Sequence, residues 1–108
     1  MNPATQTLLA EANSARTRGL TGEAITLLER AVRIEPRNPE VWTRLAAAYL
    51  QDEQVARAEQ HINKAIALAA QRPLALREAW LVMADVREAQ GKYSEAAQIR
   101  RRYRRVRT

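Results

Sequence analysis

The chain has no cysteine and no phenylalanine, one histidine, three glycines and four prolines. Without cysteine there is neither a disulfide framework nor a thiolate to attack a substrate or hold a metal. A lone histidine, His61, completes neither a zinc site nor a nucleophile–histidine–acid triad, and it reads as an exposed or half-exposed bystander. Gly19, Gly22 and Gly91 each have a turn explanation and do not form a phosphate-cradling loop. No apolar run approaches the roughly 20 residues of a membrane span. The opening Met-Asn-Pro-Ala-Thr-Gln lacks the charged and apolar regions of a signal peptide. No enzyme, metal site or cofactor is expected. The expected location is cytoplasmic if the chain is complete, and periplasm or cell envelope stays open if it is an excised domain.

What is present is apolar and periodic. With 108 residues, 46% of them hydrophobic and 28% charged, the chain is one domain and too hydrophobic to be disordered. The formal charge of +6 is unevenly placed. Residues 1–99 carry twelve basic and twelve acidic side chains, and the whole excess lies in Arg100, Arg101, Arg102, Arg104, Arg105 and Arg107. A neutral body therefore ends in a basic tail.

Trp42, Leu45, Ala46 and Tyr49 fall at i, i+3, i+4 and i+7, one stripe of a helix, and Ala58, Ile62, Ala65 and Ile66 form another. Helices of this kind recur along the chain. Asn2-Pro3 opens the first, expected over 3–18, with Gly19 as its terminator. Thr21 is the expected cap of a second, which Pro36 stops. Asn38-Pro39 opens a third and Asp52 is the expected cap of a fourth. Pro73 begins a fifth, which Gly91 ends, and Ser94 is the expected cap of a sixth that carries Ala96, Ile99, Tyr103 and Val106. The spacing from Ala24 to Ala58 and from Ala31 to Ala65 is 34 residues, while Trp42 to Trp80 and Ala58 to Ala96 span 38. Four residues are therefore inserted near 71–74.

At these positions the chain resembles the tetratricopeptide repeat (TPR) family. Trp42, Leu45, Ala46, Tyr49, Ala58, Ile62 and Ala65 answer its pattern in the middle repeat. Leu8, Ala12, Gly19, Ala24, Leu28, Ala31 and Pro36 answer it before, and Trp80, Met83, Ala84, Gly91, Tyr93 and Ala96 after. The resemblance implies an all-α fold, a right-handed α-solenoid of three helix-turn-helix units, six helices in all. A single domain over 3–108 would hold repeats at about 5–38, 39–72 and 77–108. Glu11, Arg87, Arg100 and Tyr103 depart from the pattern, and Arg100 suits a last repeat with nothing packed beyond it. Trp42-Thr43-Arg44-Leu45-Ala46 and Val86-Arg87-Glu88-Ala89-Gln90-Gly91 also look similar to repeat segments of bacterial cell-envelope assembly proteins.

The expected work is that of a non-enzymatic scaffold or adaptor. A second strip on each repeat's first helix lies roughly 80–160° from the tryptophan stripe at 100° per residue. It comprises Gln6, Leu9, Asn13 and Arg16, then Glu40, Thr43, Ala47 and Leu50, then Glu78, Leu81, Asp85 and Glu88. The resemblance implies that these line a concave peptide-binding groove, apolar in the middle and acidic at the third repeat. A protein or peptide with apolar and basic side chains suits it. Family members that clamp a C-terminal carboxylate need Lys, Asn and Arg here, and only Asn13 matches. The alternative is an anion-binding module in which the arginines meet nucleic acid or an acidic membrane surface. A homodimer through the final helix is the remaining expectation.

Overall fold

The computed structural model describes residues 1–104. These form six helices: α1 (Pro3–Thr17), α2 (Thr21–Ile34), α3 (Pro39–Gln51), α4 (Val55–Leu68), α5 (Pro73–Ala89) and α6 (Tyr93–Tyr103), with no strand among them. Each helix packs on the next in sequence, and α3 also packs on α5. This is an α-solenoid of three hairpins. Its interior is a layer of alanines, among them Ala24, Ala46, Ala58, Ala65, Ala84 and Ala96, all essentially inaccessible. Side chains this small allow helix axes to approach to about 8–10 Å. Leu28, Leu45, Ile62 and Met83 fill what remains.

The first helix of every hairpin starts on proline, whose missing N–H is not needed there. Asn2 and Asn38 each accept a hydrogen bond at Oδ1 from the N–H two residues on, at 2.7 and 3.0 Å. The second helices are built differently. Thr21, Asp52 and Ser94 are not their caps: α2 and α6 already include Thr21 and Ser94, and Asp52 closes α3. The residues that occupy the cap are Leu20, Gln54 and Lys92, none with a side-chain cap bond. Their N–H groups donate back to the carbonyls of Ala15, Tyr49 and Arg87 at 2.8, 2.9 and 2.8 Å. That backward bond fixes where the next helix begins, whatever side chain stands there. The residue before each cap is left-handed: Gly19 at φ 77°, Glu53 at φ 63° and Gly91 at φ 78°. Gly22, by contrast, is an ordinary first-turn residue of α2.

The inserted residues are absorbed as one extra helical turn, so α5 has 17 residues where α3 has 13. Trp42 is only partly buried; its indole Nε1–H donates to the Pro36 carbonyl at 2.8 Å and its ring lies against the core. Arg87 does the job that Tyr49 does one repeat earlier. The Tyr49 hydroxyl donates to Glu29 on the preceding α2 at 2.6 Å, and Arg87 Nη1 donates to Glu59 on the preceding α4 at 2.6 Å. Tyr103, where the pattern has alanine, stacks flat on Trp80 with centroids 5.5 Å apart and planes at 7°. No seventh helix competes for that space among the described residues.

Candidate binding groove

Residues of the strip face two ways. Gln6, Asn13, Glu78, Asp85 and Glu88 are exposed, while Arg16, Glu40, Ala47, Leu50 and Leu81 are half-buried. Leu9 and Thr43 are not open to a guest, being only 5% and 7% accessible. Their angles around an isolated helix put them on the strip, but Leu9 is drawn into the core cluster and Thr43 into the space between α3 and α5. Leu9 lies beneath the strip, and Thr43 lines the cleft between α3 and α5 with little of its surface exposed. The apolar centre of the strip is therefore Ala47, Leu50 and Leu81.

Glu40, Thr43, Leu74, Ala75 and Glu78 line a cleft of about 250 Å³ between the starts of α3 and α5. Leu74 and Ala75 belong to the extra turn of α5, and Leu74 is 69% exposed. Neither was among the residues expected from the sequence. The signal was there, in an insertion that begins on a helix-starting proline, but only its absorption into the helix puts Leu74 at the mouth of the strip.

Charge along the strip is partly spent internally. Glu40 pairs with Arg44 at 2.8 Å. Arg16 Nε donates to Gln51 Oε1 at 3.1 Å, which ties α1 to α3. Arg100 Nη2 reaches both Asp85 and Glu88, at 2.7 and 2.6 Å. Arg100, expected among the anion-binding arginines, thus has its guanidinium paired with two carboxylates of the strip. Those carboxylates hold its guanidinium protonated even more firmly than usual, Asp85 first and Glu88 next. Glu78 has no ion-pair partner among the described residues. Of the remaining tail, Arg101, Arg102 and Arg104 are exposed, with Arg102 over the Tyr103 ring at 5.6 Å. Arg105 and Arg107, like Val106, lie outside the described residues.

Away from the strip, His61 is half-buried between the rings of Trp42 and Tyr49, at 5.5 and 4.8 Å, with Nδ1 2.7 Å from the Arg57 carbonyl. It is a packing residue. A cavity of about 470 Å³ lies beside the α2–α3 connection, lined by Met1, Glu35, Pro36, Arg37, Asn38 and Arg72. The Asn2 N–H and the Asn38 amide donate to the Glu35 carboxylate at 2.8 and 3.3 Å. No group of three or more His, Cys, Asp or Glu side chains among the described residues is arranged to hold a metal. Nor is any helix there long and apolar enough to cross a membrane.

Stacked hairpins with an open, mixed-charge strip on their first helices define a helical-repeat interaction module. Residues 15–78 match the tetratricopeptide repeat family, and the chain belongs to that family. It is similar to the globular C-terminal domain of P. aeruginosa LpoP, at 32% identity over 97% of this chain and 99% of that one, with a TM-score of 0.88. It is also similar to the first TPR of Spaghetti (RPAP3), solved bound to the HSP90 peptide SRMEEVD, at 28% identity, TM-score 0.79, and coverage of 92% and 77%. The Arabidopsis OM64 TPR domain, at 24% identity, TM-score 0.79 and coverage of 93% and 79%, shares the fold. No curated protein matches the sequence. The fold is that of a non-catalytic protein–protein interaction module.

Proposed function

We propose that the chain is an adaptor that takes a segment of another protein, apolar and basic in character, along the strip formed by α1, α3 and α5. The observation that carries this reading is the pairing of apolar Ala47, Leu50 and Leu81 with the acidic Glu40–Glu78 cleft. Apolar contact supplies affinity, and complementary charge supplies orientation and rejection of wrong partners. An acidic peptide such as the one held by the Spaghetti domain would here meet Glu78, with Glu40 already paired to Arg44 and Asp85 and Glu88 to Arg100. The strip's one cation, Arg16, is engaged with Gln51. A carboxylate clamp is therefore not part of the reading. We assign the bacterial cell envelope as its setting, a reading supported by the resemblance of two segments to envelope-assembly repeats and by likeness to a domain from P. aeruginosa.

The test is co-purification with the intact chain against a Leu50→Arg/Leu81→Arg variant. Partners lost in the variant support the groove. Partners retained by the folded variant refute it. The exposure of Arg101, Arg102 and Arg104 favours a second reading, binding of an anionic surface. Such binding would fall steeply with salt and disappear on deleting residues 100–108. Pairing of two copies through α6 would bring those same arginines together, and light scattering at rising salt decides whether it occurs.

A further inference from the structure

In the middle repeat, Ile62 on α4 is wholly buried. Thirty-eight residues on, the equivalent position on α6 is Arg100. With no further helix over it among the described residues, its side chain turns onto α5 and places one guanidinium nitrogen 2.7 Å from Asp85 and 2.6 Å from Glu88. Those two carboxylates are the third-repeat counterparts of Ala47 and Leu50, so they are members of the strip itself. Arg100 is the less exposed partner, at 27% against 56% and 52%. A guanidinium between two half-exposed carboxylates is also the contact that a basic side chain of a bound segment would make.

We propose that Arg100 is an internal stand-in for a guest's cation: it occupies the Asp85–Glu88 end of the strip and must be displaced before a basic segment can engage there. The inference rests on the groove reading above. It gives the groove a built-in threshold. A guest with one cation is served at the Glu40–Glu78 cleft, whereas a guest long enough to reach Asp85 and Glu88 competes with a tethered rival already in place. Exposed ion pairs are individually weak, so the rival lowers affinity without closing the site.

The test uses a fluorescein-labelled eight-residue peptide of alternating leucine and arginine, with anisotropy read on the full chain. Arg100→Gln is expected to bind about three- to tenfold more tightly than the unmodified chain. Adding Asp85→Asn and Glu88→Gln to that variant is expected to abolish the gain. The Arg100 Nε–H resonance of the unmodified chain is expected to shift as the peptide saturates it, a readout that needs no substitution. No gain in Arg100→Gln, a gain that survives loss of both carboxylates, or an unmoved Arg100 resonance overturns the proposal. The groove reading fails separately: peptide binding unaffected by Leu50→Arg/Leu81→Arg would overturn it, whatever Arg100 does.

Discussion

Glu53 carries backbone strain that its two counterparts avoid. The turn between the helices of each hairpin requires a left-handed residue, supplied as glycine at Gly19 and Gly91 but as glutamate at Glu53, φ 63°. An L-residue in that region costs about 1–2 kcal/mol relative to glycine. Glycine gives back part of this, because the unfolded chain gains about 0.4–1 kcal/mol of entropy with it. Glu53→Gly should therefore stabilise the fold by about 0.5–1 kcal/mol, and Gly91→Ala should destabilise it by a similar amount. A Cβ built on Gly91 meets nothing within 4 Å, so steric crowding adds nothing to the second figure. For a domain of this size each substitution should move the melting temperature by about 3–6 °C, in opposite directions. Thermal denaturation followed by circular dichroism reads both. A Glu53→Gly variant that melts lower than the unmodified chain would refute the reasoning.

Trp42→Ala should cost about 3 kcal/mol, the low end for an aromatic truncation because the ring is only partly buried, and urea denaturation checks it. The Glu59 carboxyl is held below its ordinary 4.5 by the Arg87 hydrogen bond. Its folded pKa thus lies below the unfolded one, so the pair stabilises fully above about pH 4.5 and loses that contribution as the pH falls through the folded value. Glu59→Gln should flatten that acid limb in melts at successive pH values, and an unchanged limb would show the pair to be idle. Arg87→Ala should destabilise more than Arg44→Ala, because Arg87 is 19% exposed and bridges α4, α5 and α6, whereas Arg44 pairs within one helix at 39%. Equal melting temperatures for the two variants would contradict this.

The recurrence of Ala24, Ala58 and Ala96, and of Trp42 and Trp80, made the helical hairpins legible because small and large side chains must alternate wherever helices stack. The caps of the second helices were not legible. Thr21, Asp52 and Ser94 have the right chemistry, but a backbone bond from Leu20, Gln54 and Lys92 sets the start of the helix first. A left-handed Glu53 leaves no trace in sequence either, since nothing about glutamate announces it. The angle around a single helix carries the strip but not what neighbouring elements do to it: they cover Leu9 and Thr43, and the lengthened α5 exposes Leu74. Arg87 and Arg100 looked like departures from a pattern. Both are ion-pair solutions, one between repeats and one at the end of the array.

Photo-crosslinking from single positions in living bacteria tests the groove most directly, with the photoreactive residue placed at Ala47 in one strain and at Arg101 in another. The account predicts a discrete partner adduct from Ala47 and none of the same mass from Arg101. An adduct from Arg101 alone, or no protein adduct from Ala47 in a chain shown to be folded, would contradict it.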